Sequence, residues 1–277
     1  MNKFMLGSAA LISLAAIGSA GAADLPVKAP PMVAAPVFSW AGCYIGVHAG
    51  GGWGKNRNDF GTAIASGPTE NEGFPAEFGP FDHNTSGGVV GGQVGCNYQT
   101  APNWVIGIEG EAWWSGMKGS FTAPEDGADP GTFSRFESRN RWDGDVALRL
   151  GYAWGRALLY GKAGVAVGSF QYTEWHDDIP TIHACFAVPG GVCSATFDNT
   201  RAGLLLGVGW EYAWTNNWSF KVEYDYIKFG STNIPYPSTS PPPLPQPIQS
   251  FSVSDTKQIV KVGVNYRFDW GPVVAKY

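Results

Sequence analysis

The chain has 277 residues, with 18 basic and 23 acidic side chains and a formal charge of −5. Nucleic-acid binders ordinarily carry a basic surface, so this balance argues against nucleic acid as a partner. Aromatic residues at 14%, 38 glycines and only four cysteines point to tightly packed β structure rather than a disulfide-built scaffold.

Residues 1–22 read MNKFMLGSAALISLAAIGSAGA. One lysine, an apolar run and a small-x-small site at Ala20-Gly21-Ala22 predict a secretory signal peptide. The run is too short and too rich in Ala, Gly and Ser for a spanning helix, which needs roughly 20 apolar residues. Residues 23–39 are dominated by Pro and Ala and predict an extended periplasmic linker. A barrel is expected over 40–268, followed by a short extension at 269–277.

Eight segments then alternate with period two, the mark of a half-buried strand. They lie near 40–54, 85–99, 104–115, 138–153, 157–170, 200–213, 218–229 and 256–268. Three connections (100–103, 154–156 and 214–217) are short turns. The other four (55–84, 116–137, 171–199 and 230–255) are long and rich in Gly, Pro, Ser, Thr and acids. Long and short connections alternate strictly, so all the long ones leave from one end. That is the pattern of an eight-stranded antiparallel up-and-down transmembrane β-barrel with four long extracellular loops.

Alternation alone does not say which face meets water. One face carries Ile45, Val47, Val94, Ile106, Leu148, Val165, Leu206 and Val262, among others. The other carries seven acids (Glu109, Glu111, Asp143, Asp145, Glu211, Glu223 and Asp225) and nine bases (Arg139, Arg141, Arg149, Lys162, Arg201, Lys221, Lys257, Lys261 and Arg267). Aromatic residues gather at strand ends, Trp40, Tyr98, Trp104, Trp114, Trp142 and Tyr266 among them, where membrane-interface girdles sit. Strands of 12 to 16 residues exceed the usual soluble length of about five or six. A lipid-facing Arg or Lys at the midplane costs roughly 2–4 kcal/mol, so the charges must face inward.

The segments FSWAGCYIGVHAGGGWG, SGGVVGGQVGCNYQ, WVIGIEGEAWWSG, EYAWTNNWSFKVEYDYIKFG and VKVGVNYRF resemble the small porin-like outer-membrane β-barrel family of alphaproteobacteria, which includes the major surface antigens of Brucella. The resemblance covers most of the chain after the leader. It implies a surface-exposed eight-stranded barrel in the outer membrane with a porin-like or structural role. It does not extend to the loops.

An eight-stranded interior is just wide enough for side chains to fill. The charged face therefore predicts a lumenal ion-pair network of Glu109, Glu111, Arg141, Asp143, Asp145, Arg149, Lys162, Arg201, Glu211, Lys221, Glu223, Asp225, Lys261 and Arg267. All seven acids and nine bases of that face together would leave +2. Strand counting brings Asp225 near Lys261 and Glu211 near Lys221. A plugged lumen and a narrow polar path both remain open, since Gly46, Gly50, Gly52, Gly87, Gly91 and Gly95 make the inward face of the first two strands small.

Cys43 and Cys96 fall on the outward face at matching heights, which permits a bridge, with two separate lipid-facing cysteines as the alternative. Cys185 and Cys193 enclose a Pro-Gly-Gly turn in the third long connection and are expected to pair. His176, Asp177, Asp178 and His183 nearby show no recurring ligand spacing, so no metal is expected. No cofactor and no catalytic residue is expected either, because His48 and Ser86 fall on different faces and no triad converges. The four long connections hold four bases against 14 acids, an acidic rim of −10 that would favour cations over anionic solutes. Expected partners are outer-membrane lipid and small solutes or cations. The alternative function is a surface receptor or adhesin whose loops bind a ligand.

Overall fold

The computed structural model describes residues 38–59, 81–124, 133–177, 192–236 and 249–268. The expected leader, most of the linker, the C-terminal extension, Cys185 and His183 lie outside the described residues.

Ten strands form one antiparallel sheet: β1 (Gly42–Asp59), β2 (Phe81–Gln99), β3 (Trp104–Ser115), β4 (Lys118–Pro124), β5 (Phe133–Trp154), β6 (Ala157–Asp177), β7 (Val192–Ala213), β8 (Trp218–Phe229), β9 (Thr232–Tyr236) and β10 (Gln249–Arg267). The ring closes because β1 pairs on both edges, with β2 on one side and β10 on the other. β4 continues the wall above β3 between β2 and β5, and β9 continues it above β8 against β10. The wall is therefore eight strands wide, and closure removes the exposed edges from its lower part.

The three short turns lie at one end. Gly155 takes φ +58° in the two-residue turn that pairs Trp154 with Ala157. Thr215 Oγ1 accepts from the backbone N–H of Asn217 and of Trp218 in the β7–β8 turn. Asn103 donates to the Ala153 carbonyl and so fastens the β2–β3 turn to β5.

The outward face is apolar through the middle, with Val47, Val94, Ile108, Leu148, Leu204 and Leu206 all at least half exposed. Aromatic residues bound it. At the short-turn end Trp104 meets Tyr152, and Trp218, Tyr266 and Phe268 form a continuous run. Trp53, Trp114 and Trp142 stand exposed at the other end. Trp104 and Trp114 are ten residues apart on one strand. At about 3.3 Å per residue and a tilt near 40°, that is roughly 25 Å, the height of a membrane-facing band. β1, β2, β5, β6, β7 and β10 run well past the upper belt, further than their sequence periodicity indicates.

Two expectations about the wall are corrected. Trp40 is not part of the outer girdle: it is 1% exposed and fills the mouth at the short-turn end. Its backbone N–H donates to Gln99 and its indole Nε1–H to the Gly155 carbonyl, both at hydrogen-bond distance. The second correction concerns β5. The ladder runs Asn140 opposite Phe170 and then Trp142 opposite Ser169, so Arg141 is an extra residue in a β-bulge. Below it Asp143, Asp145 and Arg149 face inward, and above it Ser138 and Asn140 do. Arg139 and Arg141 are thereby turned out of the lumen, with side chains 52% and 55% exposed. A bulge re-aims side chains in this way because two residues oppose one.

Candidate functional site

The lumen is stacked in layers. At the short-turn end Trp40 packs with Val105, Ala153, Leu158, Tyr160 and Ala213. Phe38 lies against Trp40 at 5.2 Å between ring centroids, and the guanidinium groups of Arg156 and Arg267 sit 4.9 and 4.4 Å from the Phe38 ring. Arg267 also donates to the Asn216 carbonyl at 2.5 Å, so it belongs to this lower seal and not to the central charges.

Above the seal, side chains from all eight wall strands converge. Lys162 of β6 lies 2.8 Å from Glu111 and 2.9 Å from Glu223. Lys221 of β8 lies 2.6 Å from Glu111 and 3.4 Å from Glu223. Lys261 of β10 binds Glu111 directly and lies 3.0 Å from Glu223 and 2.6 Å from Asp225. Glu111 of β3 and Glu223 of β8 are therefore each shared by three ammonium groups. Asp145 sits at the margin, 3.9 Å from Lys162.

Arg149 organises the lower side of this cluster. It bridges Glu211 at 2.9 Å and Glu109 at 3.3 Å, touches the Tyr44 hydroxyl, and stacks 3.8 Å over Tyr160. Tyr44 and Tyr160 donate to Glu109 and Glu223 at 2.7 and 2.6 Å. Glu211 stands opposite Lys221 in the register but turns to Arg149, Ser219 and Asn265. A neutral chain completes the ring, from Asn265 through Gln93 to His48.

The uppermost layer is mixed. Phe170, Phe229, Leu205, Ile227, Val253, Ile259 and Trp113 form an apolar shelf. Lys257 pairs with Asp143 at 2.7 Å while lying over Phe170 and Phe229. Arg201 binds Asp255, whose carboxylate also accepts from Tyr172 at 2.9 Å and Asn56 at 2.7 Å. Beyond this, outside the membrane band, His83 meets Ser138 at 2.6 Å, and burial holds its pKa below the ordinary imidazole value.

Of the expected lumenal residues, Glu109, Glu111, Asp145, Arg149, Lys162, Glu211, Lys221, Glu223, Asp225 and Lys261 meet at the centre. Asp143 and Arg201 lie higher and Arg267 lower, while Arg141 is outside. Asp255, Tyr44 and Tyr160 are partners that alternation did not single out. Among the described residues eight carboxylates and seven bases are buried, giving −1 where the sequence suggested +2. Two arginines leave the lumen at the bulge, and Asp255 joins it because β10 starts earlier than its periodicity shows.

The small wall of β1 and β2 leaves no gap. A methyl group at Gly95 would overlap the Tyr44 phenol, one at Gly91 would lie 2.5 Å from Trp113 Cβ, and one at Gly52 would lie 2.8 Å from Met117 Sδ. Large side chains from neighbouring strands occupy the space the glycines vacate. Carboxylate oxygens of Glu109, Glu111 and Glu223 come within 4.8 Å of one another, but three lysine ammonium groups already sit among them. A second cation there would meet three positive charges.

Cys43 and Cys96 face each other in the β1–β2 register and form a disulfide on the outward face.

The family model for the outer membrane protein beta-barrel domain matches residues 10–268. The 31 kDa outer-membrane immunogenic protein of Brucella melitensis is 36% identical over 94% of this chain and 99% of its own length. The 25 kDa outer-membrane immunogenic protein of Brucella abortus is 27% identical over 97% and 99%, and the 22 kDa outer membrane protein of Rhizobium leguminosarum 27% over 89% and 83%. Among solved structures, the outer membrane protease OmpT of Escherichia coli covers 82% of this chain and 97% of its own at 13% identity and a TM-score of 0.47. The chain therefore belongs to the outer-membrane protein β-barrel domain family and resides in the outer membrane of a Gram-negative cell.

Proposed function

We propose that this protein is a non-catalytic structural barrel of the cell envelope whose lumen is closed by the central ion-pair network. The observation that carries the reading is the sharing of Glu111 and Glu223 by Lys162, Lys221 and Lys261 across the full width of the interior. Breaking a buried pair by moving one partner leaves an uncompensated charge and costs roughly 3–5 kcal/mol. A conducting path would have to break several at once, and would still meet the Trp40 seal. His83 and Ser138 form a base–hydroxyl pair near the loop end, but Ser138 is buried in the wall and receives no catalytic role.

Proteoliposome swelling tests this. Vesicles carrying the folded protein should swell in arabinose no faster than protein-free vesicles, while a general porin in parallel gives rapid swelling. Swelling that falls with increasing sugar size would instead support a porin role.

A second reading, a surface receptor or adhesin, is favoured by the collar of wall above the upper belt. β5 begins nine residues above Trp142 and β6 reaches Asp177, so these strands rise well past the upper belt. The immunogenic names of the Brucella relatives fit a surface presented in this way. Loop-shortened variants that lose binding to a host or environmental surface while keeping the envelope intact would favour this reading.

A further inference from the structure

The bulge at Arg141 places a basic cluster outside the barrel directly above the upper aromatic belt. Trp114 and Trp142 face each other across β3 and β5 and are both exposed. Immediately above them Lys118 of β4 stands opposite Arg139 of β5, and both are exposed. Arg141 lies beside them, and Arg135 follows one turn of the alternation higher.

Like charges directly opposite on one face of a sheet destabilise the pair. Here the wall answers them only at the limit of ion-pair distance. Glu137 approaches Arg135 and Arg139 only to 3.8 and 3.9 Å, and Asp198 approaches Arg141 only to 3.9 Å. Lys118 has no ion-pair partner among the described residues. On the neighbouring strands β1 and β2, by contrast, Lys55 and Arg57 are both held by Asp82, at 2.5 and 3.2 Å.

Height decides what can answer the charge. Against β6, Arg139 stands two residues above Trp142 because Arg141 is bulged, about 5 Å up at the strand spacing and barrel tilt. Aromatic belts mark the interface between acyl chains and headgroups. Side chains just above the belt at the long-loop end thus reach the headgroups of the outer leaflet. Guanidinium groups bind phosphate through two parallel N–H donors, and basic residues near an anionic surface each contribute about 1 kcal/mol.

We propose that Lys118, Arg139 and Arg141 form a binding site for the phosphorylated headgroup of an outer-leaflet lipid, with Trp114 and Trp142 against its acyl chains. The bulge is the device that creates the site. Unbroken alternation through Arg141 would point both Arg139 and Arg141 into the lumen.

The test is native mass spectrometry of the full folded protein in detergent with added bisphosphorylated lipid A, dephosphorylated lipid A or inorganic pyrophosphate. Wild type should retain the bisphosphorylated lipid, and K118Q/R139Q/R141Q should lose at least about tenfold in retention. The lipid without phosphate should bind weakly to both, and pyrophosphate should not displace the intact lipid at equal concentration. K228Q, which removes an exposed lysine on another part of the wall, should retain lipid as wild type does. Heat-modifiable gel migration confirms folding, and the single variant K118Q gives a second reading if the triple variant does not fold. Equal retention by the folded variant would overturn the proposal. So would displacement by pyrophosphate, which would make the site one for free anions.

Discussion

β5 carries the same kind of residues in two places with opposite consequences. Below the bulge, Asp143, Asp145 and Arg149 point inward, and Arg149 is bonded to two carboxylates and two phenol rings. Above it, Arg139 and Arg141 point outward and meet acids only at the limit of ion-pair distance. The lower arginine is buried between its carboxylates, and the upper ones are exposed on the outer surface. One inserted residue separates the two fates. Since the side-chain period of a strand is two, any one-residue shift exchanges its faces.

The difference predicts unequal costs for similar substitutions. Lys261→Met removes one of the three ammonium groups shared by Glu111 and Glu223 and the nearest partner of Asp225, and should destabilise the barrel by about 3–5 kcal/mol in urea titration. Arg139→Met, above the bulge, should fall within about 0.5 kcal/mol of wild type. Equal losses at both positions would erase the distinction between the layers. A smaller effect, roughly 2 kcal/mol, is expected from deleting Arg141. The deletion removes the bulge and makes Asn140, facing inward, and Trp142, facing outward, consecutive in a regular ladder, so Arg139 keeps its outward facing. A cysteine at position 139 should react with a membrane-impermeant thiol reagent in the wild-type and the deletion backgrounds alike. Protection in the deletion background would mean that the upper part of β5 does not keep its register against β6.

The same bulge marks where the sequence stops being legible. The three short turns and the lower two-thirds of the wall follow from alternation and turn residues, because each strand keeps one parity from its turn to the upper belt. Higher up, β4 and β9 lie in Gly-, Ser- and Pro-containing stretches that read as loop. They are strands because β5 and β10 supply pairing partners, a tertiary effect that no local pattern carries. Arg139 and Arg141 are misplaced by extending one parity across residue 140. Trp40 reads as a girdle residue because it precedes β1 at a strand end, yet an indole can as readily fill the mouth of a narrow barrel. For the lumen, the residue types are legible and the pairings only in part. Asp225 does meet Lys261, but Glu211 turns from Lys221 to Arg149, because long side chains reach across the interior to strands that are not neighbours. The glycines of β1 and β2 suggest room, and only the Tyr44, Trp113 and Met117 side chains opposite them show that it is filled.

Single-channel recording in planar bilayers tests the closed lumen most directly. Wild-type protein should give no stable openings at moderate voltage. The double variant Lys261→Ala with Trp40→Ala, which cuts both the central network and the lower seal, should give discrete conductance steps if it stays folded. Stable, uniform openings from the wild-type protein would contradict the account.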